Sequence, residues 1–365
     1  MKTIADLDPS VLAAFRRGVA IPAAPLALDA DRRFSPRHQR ALFRYYIDAG
    51  AGGIAVGVHS TQFAIRRPDI GLFEPVLSSA SRFIDEWCER RGRRVLKVGG
   101  VCGRTEQAVR EAEFEASCGF DAALVSLGAF ADASLDDMLA HCRAVAGVMP
   151  IIGFYLQPAV GGRILPYEFW REFAAIGNVL GIKMAPFNRY ATLDVVRAVA
   201  DSDRDVTLYT GNDDNIVSDL LTEFRFGGRS LRVRGGLLGH WCCWTHAAVK
   251  LLDEIHALVD SGAAIPPELL TRAASVTDCN AAVFDPAHGF AGCIPGIHEV
   301  LHRQGLLPTI LCLDPAETLS PGQAEEITRV SQAYPSLIDD DFVREHLAEW
   351  MEDEDTPESW DRANV

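Results

Sequence analysis

The sequence predicts an eight-stranded (β/α)₈ barrel followed by a helical extension. Three observations predict it. Short β-type runs alternate with helical stretches between residues 18 and 238, most runs start 25 to 30 residues apart, and no G-x-G-x-x-G follows the first run. The last point sets the barrel ahead of an open doubly wound sheet, the competing architecture.

The runs occupy 18–26, 53–58, 94–100, 122–128, 150–155, 179–184, 206–211 and 230–238. The spacing between them holds one loop and one crossover helix. The first helix shows its ends: Ser35-Pro36 places a capping serine before a proline, and Gly50 follows Tyr45-Tyr46-Ile47 at the other end. Residues 241–259 are read as the eighth barrel helix. Beyond it, 266–284, 295–304 and 321–333 are helical stretches divided by proline and glycine breaks. The expected division is a barrel over 1–250, helices packed on it over 251–340, and an acidic, partly disordered tail over 341–365.

A net charge of −15 argues against non-specific binding to nucleic acid or to an anionic membrane. No run is long enough to span a bilayer, and the first residues carry no signal-peptide pattern. Nine scattered cysteines with no C-x-x-C pair point away from a disulfide framework or structural zinc and towards a reducing cytoplasm. The adjacent Cys242-Cys243 reads as buried small hydrophobes. Histidines 240, 246 and 256 do not share one helix face, and no His/carboxylate cluster ends a strand, so no metal site is expected.

One strand-end cation stands out. Lys183 ends the run Asn178-Val179-Leu180-Gly181-Ile182-Lys183. Burial disfavours an ammonium and lowers its pKa, and a neutral amine attacks carbonyl carbon; the alternative is a strand-end lysine that snorkels to water. In a (β/α)₈ barrel reactive groups sit at the C-terminal strand ends. Those ends supply His59, Ser60 and Thr61 after the second run, Phe130 after the fourth, Tyr155 on the fifth and Lys183 on the sixth. A phenol beside a Schiff base can shuttle protons, so Tyr155 and Lys183 are read as a catalytic pair, with Tyr155 as a core aromatic the alternative.

Several segments resemble the dihydrodipicolinate synthase / N-acetylneuraminate lyase family of class I aldolases, from about Gly18 to Thr328. Gly181-Ile182-Lys183-Met184-Ala185-Pro186-Phe187-Asn188 is similar to the family's G-I-K-[DE]-x-[ST]-x-[ND] Schiff-base strand. Phe154-Tyr155-Leu156-Gln157-Pro158, with Gly161, resembles Y-N-x-P-x-x-[ST]-G and puts Tyr155 at the catalytic tyrosine position. Tyr209-Thr210-Gly211-Asn212-Asp213-Asp214 is similar to S-G-[DN]-D, and the 295–306 stretch resembles the closing K-x-x-L-x-x-x-G-L helix. The resemblance implies a covalent Schiff base on Lys183 with no other cofactor, a 2-oxo acid such as pyruvate with an aldehyde partner, and a homo-oligomer, tetramer or dimer. It implies substrate contacts from His59, Ser60, Thr61, Phe130, Gly211 and Leu238.

The departures bear on the substrate. His59-Ser60 replaces two threonines of a G-T-T-G-E loop, and Phe130 stands in the region of a relay tyrosine. Ala159 or Val160 stands where the synthase has a carboxylate-gripping arginine, and Met184 replaces an acid. Authentic dihydrodipicolinate synthesis is therefore not expected. A 2-oxo acid dehydratase or hydratase-aldolase, and a non-catalytic 2-oxo acid-binding barrel, remain as alternatives.

Overall fold

The computed structural model describes residues 1–238 and 240–352. Eight strands form one sheet: β1 (Gly53–Val56), β2 (Leu96–Val101), β3 (Ala122–Val125), β4 (Ile151–Leu156), β5 (Val179–Ala185), β6 (Thr207–Thr210), β7 (Glu223–Phe226) and β8 (Arg229–Gly236). Their order is β1-β2-β3-β4-β5-β6-β8-β7. All neighbours pair in parallel except β7 and β8, which form an antiparallel hairpin.

The barrel expected from the sequence is present, with two corrections. Residues 18–26 do not form a regular strand. They close the barrel through isolated parallel bridges, Ala20 to Gly236 and Ala23 to Ala55. Pro22 and Pro25 interrupt this segment, and proline has no N–H to give a ladder. The second correction is β7, which joins β8 across Gly227 and Gly228, both in the left-handed region that glycine tolerates. β7 lies outside the closed barrel.

Two apolar layers hold the barrel. Val98, Leu124, Ile152, Phe154, Leu180 and Tyr209 fill its interior. The helix Pro9–Arg17 plugs the N-terminal mouth, its first turn capped by the Asp8 carboxylate, which accepts from the Ser10 and Val11 amides. Its Phe15 stacks on Tyr209 at 4.6 Å, and the Tyr209 hydroxyl donates to the Phe15 carbonyl. The second layer is the outer face of the strands packed under the helices.

The expected boundary at residue 250 falls inside the helix Thr245–Ser261. The helices Pro267–Phe284, Cys293–Arg303 and Gln323–Ala333 follow. Asp340–Trp350 was expected to begin the tail; it is a helix docked on Pro36–Asp48, with Trp350 against Tyr45 at 5.4 Å and its indole donating to Asp48. The disorder expected further along falls on residues outside the described ones. No helix among the described residues is long and apolar enough to cross a membrane.

Candidate active site

Strand register decides which side chains share the barrel interior. Lys183 on β5 pairs with Phe154 on β4 and with Tyr209 on β6, so all three face inward. The Lys183 amine lies 4.2 Å above the centre of the Phe154 ring. Only 9% of the residue is exposed, and burial is the main reason its pKa falls from the ordinary 10.5 to about 8. The Asp213 carboxylate works in the opposite direction.

The amine opens into a cavity of about 80 Å³ at the C-terminal end of the strands. From the barrel come Lys183, His59, Ser60, Phe154, Gly211, Asp213 and Leu238. Val160 and Phe187 line it from the loops, and from the C-terminal region Phe284, Cys293 and Ile297 reach in from helices and Phe290 from the turn between them. Leu313 N–H donates to Gln62 Oε1 at 2.6 Å, tying the C-terminal region to the turn that carries His59.

Of the expected contacts, His59, Ser60, Gly211 and Leu238 line this cavity with Lys183. His59 is half-buried, and desolvation, then the Lys183 charge, lower its pKa to about 4, so it is neutral at neutral pH. Ser60 Oγ donates to the Ala23 carbonyl at 2.7 Å, leaving its oxygen lone pairs for a ligand.

Three expectations are corrected. Tyr155 faces away from Lys183: it pairs with Met184 on the outer side of the sheet, and its ring packs on Trp170 at 5.1 Å. Its hydroxyl accepts from Leu165 N–H at 3.1 Å and lies 3.2 Å from the same residue's carbonyl, which locks the loop before the next helix. Phe130 is packed on His141 at 4.5 Å and lies under the Arg104 guanidinium, outside the cavity. Thr61 is fully buried; its hydroxyl donates to the Ala24 carbonyl and accepts from Gly57 N–H, so it pins the turn instead of facing a ligand.

Asp213 lies in the S-G-[DN]-D-like stretch but is not among the site residues expected from the sequence. It lines the cavity, and its Oδ1 is buried with no hydrogen-bond partner among the described residues. Burial raises its pKa to about 7 against the pull of Lys183. Its loop is held from two sides. Asn212 accepts from Phe187 N–H and donates to the buried Asp219, which also takes the Thr210 hydroxyl and Arg189. From the C-terminal region, Asn280 donates to the Asp213 carbonyl and Thr277 to that of Asp214. Phe187 and Phe290 face each other at 5.8 Å, both with positive φ, a strained setting for aromatic residues. Among the described residues, no three His, Cys, Asp or Glu side chains group as a metal would require.

No family profile matches the sequence, and no curated protein does. Solved structures do match. The chain superposes on dihydrodipicolinate synthase from Bacteroides thetaiotaomicron with a TM-score of 0.69 at 14% identity, covering 87% of this chain and 98% of that one. N-acetylneuraminate lyase from Fusobacterium nucleatum gives 0.68 at 14% identity, over 87% and 99%. An E. coli K12 prophage protein of the dihydrodipicolinic acid synthase family, solved with pyruvate, gives 0.65 at 18% identity, over 87% and 98%. The chain has their fold. At these identities the likeness concerns architecture, and the chemistry rests on the side chains described above.

Proposed function

We propose that this protein is a Schiff-base-forming lyase of the class I aldolase type, acting on pyruvate or another small 2-oxo acid through Lys183. The observation that carries the reading is a buried amine, with its pKa lowered to about 8, opening into a cavity of about 80 Å³ at the catalytic end of a barrel. An ionised carboxylate needs donors, and neutral His59 supplies one ring N–H on the wall. A cytoplasmic homo-oligomer is part of the same proposal, with light scattering as its check.

Reducing a mixture of protein and pyruvate with borohydride should add one reduced pyruvate per chain, at Lys183, and Lys183→Ala should take none. No label from any of a panel of 2-oxo acids would end this reading and favour a non-catalytic barrel.

The second substrate is proposed to be neutral or aromatic. Val160 lines the cavity, while the nearby Arg163 is spent on the Phe130 and Ala133 carbonyls. Phe154, Phe187, Phe284 and Phe290 make the remaining wall apolar. An anionic aldehyde would lose water there with little in return, which argues against authentic dihydrodipicolinate synthase. The same wall favours a hydratase-aldolase with an aromatic aldehyde over a sugar-type partner. Coupled assays with pyruvate should give faster turnover of an aromatic aldehyde than of aspartate semialdehyde; the reverse order would refute this assignment.

A further inference from the structure

We infer that Asp213, and not a tyrosine, is the proton donor and acceptor for carbonyl chemistry at Lys183. The inference rests on the Schiff-base reading above and adds the acid–base partner that it requires. The expected phenol is unavailable, since the Tyr155 hydroxyl is engaged with Leu165 on the far side of β4. Asp213 shares the Lys183 cavity, and its Oδ1 is enclosed yet unpartnered among the described residues. Such an atom is costly to keep unless a ligand meets it. The main chain of Asp213 is held as well: Asn280 donates to its backbone carbonyl at 2.9 Å.

The proton balance closes. The neutral amine attacks the 2-oxo carbon, forming C–N while the carbonyl π pair moves to oxygen. That oxygen takes the Asp213 proton, and the resulting carboxylate removes the surplus proton from nitrogen, giving a neutral carbinolamine. Asp213, again protonated, then protonates the hydroxyl; C–O breaks, water leaves and the iminium forms beside the Asp213 carboxylate. Water is the only product besides the iminium.

The other titratable groups facing Asp213 are few. His59 comes from the turn after β1 and is neutral; Cys293 comes from the C-terminal helix, its thiol raised by burial and by Asp213; Asp214 is on the same loop. The starting state needs one proton on the Lys183–Asp213 pair. With Asp213 about 7 and Lys183 about 8, that state is most populated between these values.

The test is the initial rate of pyruvate labelling under borohydride against pH, in wild type, Asp213→Asn and Asp213→Ala. We expect the wild type to peak between about pH 7 and 8, and Asp213→Asn to form the same final adduct about 10²–10³-fold more slowly, without the alkaline limb. Losing the carboxylate also lowers the Lys183 pKa and frees more amine, so a purely electrostatic role would speed labelling at neutral pH. Added acetate should restore part of the Asp213→Ala rate. Equal or faster labelling in Asp213→Asn, with no acetate rescue, overturns the inference while leaving the Schiff base intact; an unlabelled wild type overturns the Schiff base itself. If the variants do not fold, a wild-type profile flat across pH 6 to 9 also overturns it.

Discussion

Gly211→Ala probes how tightly the amine is held. A Cβ at this position would lie 2.8 Å from Lys183 Cε, 3.2 Å from Lys183 Cγ and 2.9 Å from Ala185 Cβ. Ordinary contact begins near 3.4 Å, so the shortfall at Cε is 0.6 Å. The stem has little room to yield, because Phe154 stands against the amine. If a reacting group displaced by about 1 Å loses about 10²-fold in rate, 0.6 Å corresponds to roughly 10-fold. Overpacking of this kind costs about 1–3 kcal/mol, which for a chain of this length lowers Tm by about 1–4 °C. Timed borohydride quenching with pyruvate, read by intact mass, gives the rate; differential scanning fluorimetry gives Tm. An unchanged rate would mean that the amine repositions freely and that Gly211 does not hold it in place.

Tyr155→Phe should leave the labelling rate within a few-fold of wild type and lower stability by about 1–3 kcal/mol, because the buried Leu165 N–H loses its acceptor; urea unfolding beside the rate assay checks both, and a large rate loss with intact stability would restore the tyrosine to the mechanism. His59 has a folded pKa of about 4 against the ordinary 6.5, so the unfolded chain binds this proton first and stability falls as pH drops across that window. His59→Gln should therefore lose less Tm than wild type between pH 6.5 and 4, and identical slopes would contradict the burial of the ring. Lys183 is lowered from 10.5 to about 8, so its charge opposes folding below about pH 8 and that cost fades as pH rises towards 10.5. Lys183→Met should accordingly melt no lower than wild type at neutral pH, and a drop of several degrees would show the amine to be a structural element.

Lys183 was legible because a lone cation ending an apolar strand is costly, and that cost is visible in the letters. Tyr155 misled because spacing to Pro158 fits a motif while strand parity does not: its neighbour Phe154 is the residue paired with Lys183, and a step of one residue changes faces. Parity counted along β4 would have exposed this. The hairpin of β7 had its own signal, the alternation Glu223-Phe224-Arg225-Phe226 followed by two glycines. Asp213 was in view inside a motif, but its unpartnered oxygen is a property of packing. Phe284, Phe290, Cys293 and Ile297 carry no local mark of their role, since they meet Lys183 only after a helical region about a hundred residues downstream folds back over the barrel.

That fold-back divides labour in a way selection can use. The nucleophile belongs to a strand, where nearly any change disturbs the closed sheet. Much of the chamber's ceiling belongs to helices outside the sheet, so their side chains can be exchanged without touching a rung of the ladder. New acceptors can be admitted by editing residues 284 to 297 while the amine stays as it is. Asn280 and Thr277 set the limit on that freedom, because the helix that shapes the ceiling also grips the loop of Asp213. Libraries that vary the ceiling and keep those two residues should yield altered selectivity far more often than dead protein.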